Sequence, residues 1–315
     1  MRVVVIGGSG HIGTYLTPRL VEAGFDVTCV SRGLKSPYQT HAAWRHVRIA
    51  EMDRSAEEAS GNFGQRIAAL DGDVVIDLTC YLPESAAQLV EGLRGRVKHL
   101  LHCGTIWVHG HSVEVPTTED APRKPFGEYG IRKAAIERYL LVEARETGLP
   151  ATIVHPGHLV GEGWNPINPQ GNFDASVFST IMRGEKLTLP NLGMETVHHV
   201  HADDVAQAFV QAIQHREAAI GESFHAVSRA ALTLREFAEG MFAHFRQPPQ
   251  LDFLPYDEWR KTVSEKNART TLDHIAHSPN CSIAKTRRLL DYAPRYSSLE
   301  AVQQSVESLV SAGIL

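Results

Sequence analysis

Val3-Val4-Val5-Ile6-Gly7-Gly8-Ser9-Gly10-His11-Ile12-Gly13 is the stretch whose reading decides the fold. A four-residue apolar run ends in closely spaced glycines and leads into Tyr15-Leu16 and Leu20-Val21, which have helical spacing. That order reads as strand, tight turn and helix. The turn presents backbone N–H groups and a helix N-terminus to a pyrophosphate, so Gly7, Gly8, Ser9, Gly10, His11, Ile12 and Gly13 are expected at a dinucleotide. The glycines at 7, 10 and 13 serve a tight turn, close approach to phosphate and close packing of helix on strand.

Outward from this unit, short apolar runs alternate with helical patterns. Strands are expected at Asp26–Val30, Val47–Ala50, Asp73–Leu78, Val97–His102 and Ala151–His155, and a helix from Tyr129 to Arg145. Apolar runs of this kind predict an α/β fold with a Rossmann-type, doubly wound parallel sheet covered on both faces. After residue 155 glycines and prolines interrupt the pattern. Helices are then expected at Ala175–Arg183, Asp203–Gln214 and Ser298–Ala312, and strands at Glu195–Val200 and Glu222–Val227. The predicted division is a dinucleotide-binding domain over 1–155, with 202–220 returning to it, and a smaller C-terminal substrate-binding lobe over 156–315.

Bulk properties fit a globular enzyme. Of 315 residues, 43% are hydrophobic and 21% charged. A formal net charge of −5 argues against a nucleic-acid partner or an anionic membrane surface. The four cysteines are widely spaced and lack a C-x-x-C, so buried thiols in a cytoplasmic setting are expected. No stretch approaches the length of a membrane span.

The end of the second strand bears on which dinucleotide is bound. An acidic residue there takes a ribose 2′-hydroxyl, whereas an arginine accommodates a 2′-phosphate. The residues are Ser31 and Arg32, with no carboxylate until Glu51, so NADP(H) is favoured and NAD(H) stays open.

Tyr129 and Lys133 stand four apart on the expected helix and share a face. A free phenol, with a pKa of about 10, is a weak base at neutral pH, and an adjacent ammonium lowers it. Such a phenol exchanges a proton with a substrate alcohol or carbonyl oxygen. Thr105, just beyond the fifth strand, offers a hydroxyl to polarise that oxygen. Thr105, Tyr129 and Lys133 are the candidate catalytic residues.

These motifs resemble an extended short-chain dehydrogenase/reductase of the NAD-dependent epimerase/dehydratase family. The carriers are Gly7 to Gly13, Thr105 to Gly110, Tyr129-Gly130-Ile131-Arg132-Lys133, Pro156-Gly157-His158-Leu159-Val160-Gly161, His201-Ala202-Asp203-Asp204-Val205-Ala206 and Lys285 to Tyr296. The resemblance implies that Asp53 contacts the adenine and that Leu78, Thr79 and Tyr81 line the cofactor cleft. It also implies that Cys103 joins them, that Pro156, His158 and Leu159 flank the nicotinamide, and that Lys133 bonds the nicotinamide ribose. A homodimer is a further implication.

Departures narrow the expected reaction. Ile106 and Trp107 stand where the family's sugar dehydratases carry an acidic pair, which disfavours water elimination. Val197 stands where nucleotide-sugar enzymes of the family commonly have an arginine, although Arg183 or Lys186 could replace it. His155 stands where the family often has an arginine before the proline. His198, His199 and His201, near Asp203 and Asp204, invite a metal, but Asp203 is expected as the cap of the next helix and no metal is assigned. His102, His109, His111 and His158 are expected around the pocket mouth. The expected activity is NADP(H)-dependent oxidoreduction or epimerisation of a secondary alcohol or ketone on a sugar-like small molecule. The alternative is a non-catalytic NADP(H)-binding sensor or scaffold.

Overall fold

A computed structural model describes residues 1–34 and 36–315. The first strand, β1 (Arg2–Ile6), runs at the middle of a seven-stranded sheet. Beside it lie β2 (Asp26–Ser31) and β3 (Arg48–Glu51) on one side, and β4 (Val74–Asp77), β5 (His99–Cys103), β6 (Ala151–Pro156) and β11 (Ser223–Ala226) on the other. Every pairing is parallel, in the order β11-β6-β5-β4-β1-β2-β3. β4, β5 and β6 are buried along their whole length, as the apolar runs predict for a sheet covered on both faces. The sheet reverses its winding between β1 and β4, and ligands of such sheets bind at the carboxyl ends of these strands.

One face is covered by α1 (His11–Glu22) and α7 (Ala202–Gln214), whose Leu16, Leu20, Val205 and Phe209 form one core with β1, β2 and β4. Arg19 of α1 and Asp203 of α7 clasp the two helices through two hydrogen bonds of 2.6 and 2.7 Å. The other face carries α2 (Arg54–Ala59), α3 (Phe63–Ala68), α4 (Pro83–Leu93) and α5 (Gly127–Thr147), centred on Phe63, Leu89, Val90, Ile136 and Leu140.

A third core, around Phe178, Phe237, Met241, Phe242 and Val302, gathers most of the remaining chain. It is built by α6 (Ser176–Met182), α9 (Leu234–His244) and α13 (Ser298–Ser311) with three two-stranded pairs. These pairs are β7 (His158–Val160) with β10 (His199–His201), β9 (Thr196–Val197) with β12 (Leu232–Thr233), and β8 (Leu187–Pro190) with β13 (Leu251–Leu254). Short helices α8 (Arg216–Ala219), α10 (Tyr256–Trp259), α11 (Glu265–His277) and α12 (Ala284–Leu290) complete the chain.

Two local expectations are corrected. The single strand expected at Glu195–Val200 divides, because β9 pairs antiparallel with β12 while β10 pairs parallel with β7, and one straight strand cannot serve both partners. The cap of α7 is His201, whose Nδ1 accepts from the Asp203 N–H at 3.0 Å, while the Asp203 carboxylate is engaged by Arg19.

Candidate active site

The glycine turn has the conformation its composition demands. Gly7 takes φ of +84°, its N–H donates to the Val30 carbonyl, and the Gly10 N–H donates back to the Gly7 carbonyl. A Cβ at Gly13 would lie 2.3 Å from the Gly8 carbonyl oxygen, so only glycine lets α1 start this close to the turn. α1 is preceded by Gly10 with no side-chain cap, which leaves its first N–H groups for a bound anion.

These N–H groups border a cleft of about 390 Å³. Of the expected cofactor residues, Gly7, Ser9, Gly10, Ser31, Arg32, Asp53, Thr79 and Tyr81 line it. Gly8, Ile12, Gly13 and Leu78 are buried and do not line it. The His11 side chain is turned away, with Nε2 3.2 Å from the Val160 carbonyl and the ring stacked on Trp164. Its contribution to the cleft is therefore limited to backbone. Asp53 caps α2 by accepting from the Ser55 and Ala56 N–H groups, an engagement that the adenine assignment did not include.

Sequence reasoning missed Arg54, which also lines the cleft. Its guanidinium is held by Asp77 at 2.7 Å and Glu58 at 2.6 Å and lies 4.8 Å above the Phe63 ring. Its Nη2 is buried with no partner among the described residues. The i,i+4 spacing to Glu58 was a readable cue, but the pairing with Asp77 arises only in the folded sheet.

At the carboxyl ends of β4 and β5 the structure brings Thr105, Tyr129 and Lys133 together. Lys133, on the second turn of α5, is 2% exposed, and its Nζ donates to the carbonyls of Cys80 and Cys103, each at 2.7 Å. The ammonium lies 4.8 Å from the centre of the Tyr81 ring and 6.0 Å from that of Tyr129. Burial lowers its pKa. Thr105 is buried at the start of a 3-10 turn, Ile106–His109, where its hydroxyl accepts from the Trp107 N–H. Tyr129 is 43% exposed and packs edge-on against Trp107. Its phenol stands above its ordinary pKa because burial raises it, while the Thr105 hydroxyl works in the opposite direction. The expected lowering by Lys133 is thus not present in this state, since the ammonium's protons are directed at two carbonyls.

Pro156 ends β6, and His158 and Leu159 begin β7 beyond a tight bend. A Cβ at Gly157 would lie 2.3 Å from the His198 carbonyl oxygen. His158 accepts the His198 N–H on Nδ1 and packs edge-on against Trp107. The ring of histidines expected at the pocket mouth is only partly realised: His111 is exposed, whereas His102 and His109 are buried under the Thr105 turn. His198, His199 and His201 do not converge on a common point. His198 bonds the Ser228 carbonyl, His201 caps α7, and His199 packs on Phe237. His198 and His201 are thus engaged elsewhere, while both ring nitrogens of His199 are buried with no hydrogen-bond partner among the described residues.

Residues 76–226 match the NAD dependent epimerase/dehydratase family. That match spans a little under half of the chain. The chain is 28% identical, over 76% of its length, to 2'-dehydrokanamycin reductase of Streptomyces kanamyceticus, of which it spans 65%. It is 24% identical to a UDP-glucose 4-epimerase of Streptomyces lividans, over 68% of this chain and 72% of that one. It is 22% identical to the chloroplast stem-loop binding protein of 41 kDa b of Arabidopsis thaliana, over 96% of this chain and 78% of that one. Among solved structures, the UDP-glucose 4-epimerase of Thermotoga maritima superimposes with a TM-score of 0.74 at 22% identity, covering 99% of both chains. The expected Rossmann-type fold is borne out by the solved structure, and the matches agree with the expected family and class of NAD(P)-dependent epimerase or reductase. No helix among the described residues is long and apolar enough to cross a membrane.

Proposed function

We propose that this protein belongs to the NAD-dependent epimerase/dehydratase family and is an NADP(H)-dependent reductase or epimerase acting on a secondary alcohol or ketone of a sugar-like molecule. The observation that carries the reading is the convergence of Thr105, Tyr129 and Lys133 at the strand ends that also border the glycine-turn cleft. The uncapped start of α1 fits a pyrophosphate, and Ser31 and Arg32 fit a ribose 2′-phosphate at the cleft's far end. When bound, the dinucleotide supplies or accepts the hydride.

The protein's own groups handle the proton. In the reductive direction Tyr129 gives its phenolic proton to the carbonyl oxygen as the carbon becomes an alcohol, and Thr105 holds that oxygen by a hydrogen bond. The proton is then replaced from solvent at the half-exposed edge of Tyr129. Lys133 keeps the cleft wall beside Tyr129 in place through the Cys80 and Cys103 carbonyls.

A nucleoside-diphosphate substrate is disfavoured. Val197 is fully buried, Arg183 is engaged by Glu185, and Lys186 is engaged by Asp252. The similarity to a reductase named for dehydrokanamycin favours a ketone on a sugar ring without a nucleotide. Steady-state turnover of NADPH with a panel of ketosugars and nucleotide ketosugars tests this. Consumption with the former supports it, and turnover confined to the latter refutes it.

A specific observation keeps the non-catalytic alternative in view, namely similarity to a protein named for binding a stem-loop. Tyr129→Phe separates the two readings. An enzyme loses about 10²–10⁴ in turnover while holding NADPH within a few-fold of wild type, whereas a binding protein is unaffected.

A further inference from the structure

Beneath the Thr105 turn lies a second cluster that this chemistry does not use. His155 on β6 and His225 on β11 are register partners across the sheet, and His109 closes the 3-10 turn that starts at Thr105. All three are buried, His155 and His225 completely. Their ligand nitrogens lie within 4.8 Å of one another. Gly104 leaves room for this packing, since a Cβ there would lie 2.4 Å from the His155 ring.

The hydrogen bonds around the cluster do not close. His225 Nδ1 donates to the Ser282 carbonyl at 3.0 Å, which leaves the lone pair on Nε2. That Nε2 accepts from His109 Nε2 at 2.8 Å, a bond that a metal ion would replace. His109 Nδ1, both nitrogens of His155 and Glu137 Oε2 have no hydrogen-bond partner among the described residues. Glu137 Oε2 is 3.2 Å from His155 Nε2 but not aligned with it for a hydrogen bond. Buried polar groups are rarely left in this condition without an ion or water between them. The surrounding charge suits a cation, because the buried Glu119 and Glu137 carboxylates are opposed by Arg123 alone.

We propose that His109, His155 and His225 bind a divalent transition-metal ion, with zinc the best match for three imidazole ligands, as a structural centre fixing the Thr105 turn to β6 and β11. Zinc–nitrogen bonds of about 2.0–2.1 Å in a tetrahedron set ligand nitrogens about 3.4 Å apart, so the His109–His225 pair opens by about half an ångström on binding. Glu137 then orients His155 from outside the ligand set.

The test uses the full chain carrying no polyhistidine tag. Mass spectrometry of the elemental content is expected to give about one zinc per chain after desalting. Chelator-treated chain is expected to melt at least ~3 °C lower and to recover on adding zinc. Cobalt loading is expected to give the visible absorption of a four-coordinate site with three imidazoles and one water. His155→Ala and His225→Ala are each expected to lose metal. Should they fail to fold, His109→Asn and the wild-type cobalt titration carry the same test. Wild-type chain that retains almost no metal, shows no melting shift with zinc and gives no cobalt spectrum overturns the proposal. Retention of metal by folded His225→Ala overturns it too.

Discussion

Arg32 lines the cleft beside Ser31, with no carboxylate at the carboxyl end of β2. Arg32→Ala is therefore expected to raise the KM for NADPH about ten- to a hundredfold, the equivalent of the ~1.5–3 kcal/mol of a charge-assisted hydrogen bond. The KM for NADH should stay close to wild type, and parallel kinetics with the two cofactors check this. The Tyr129–Lys133 pair was legible because a helix carries one to the other in four residues. What the ammonium touches was not legible, since the Cys80 and Cys103 carbonyls come from other parts of the chain. Arg54 escaped notice for the same reason, as did His109, His155 and His225, which only the adjacency of β6 and β11 and the fold of the Thr105 turn bring together. Motifs close in sequence report themselves, whereas groups assembled across strands do not.

At the scale of elements, glycine sets the distances at which helices meet. α3 and α4 cross where Gly64 faces Gly92, and a Cβ on Gly92 would lie 2.2 Å from the Gly64 carbonyl carbon. Gly92→Ala is expected to lower stability by about 1–3 kcal/mol through forced separation of the pair. It should reduce the urea midpoint without changing the slope, because the unfolded chain's exposed area is unaltered. The six strands expected in the first half all lie in the parallel sheet, and the 129–145 helix was extended by only two residues at each end, to Gly127–Thr147. Apolar runs bounded by turn residues were sufficient for that. The second half was harder to read because its strands are two to four residues long and take their partners from distant segments. His201 caps α7 where Asp203 was expected, since Arg19 competes for that carboxylate.

The whole molecule carries an unusual load of neutral imidazole. Burial lowers His11, His198, His201 and His274 to about 4, and His99 and His199 to about 3. In the unfolded chain these rings take up protons near pH 6.5, while in the folded chain they remain neutral until pH is near 4 or below. The unfolded state therefore binds more protons across that window, and stability falls as pH drops from about 6.5 towards 4. Asp204 acts in the opposite sense. Burial raises it to about 6, so the folded state holds a proton that the unfolded state releases, and this favours folding as pH falls below 6. One carboxyl against six imidazoles leaves the net loss steep. Urea midpoints are expected to be level between pH 7 and 8 and to decline sharply below 6.5, and a midpoint that held constant down to pH 5 would contradict the histidine account. A different consequence follows from the way α7 and β11 return to the sheet late in the chain. The first 155 residues cannot be lifted out as a portable nucleotide-binding module, because Leu16 and Leu20 would lose Phe209 and β6 would be left as a raw sheet margin open to self-association. Anyone grafting this cofactor cleft onto another protein would have to transplant both ends of the polypeptide together.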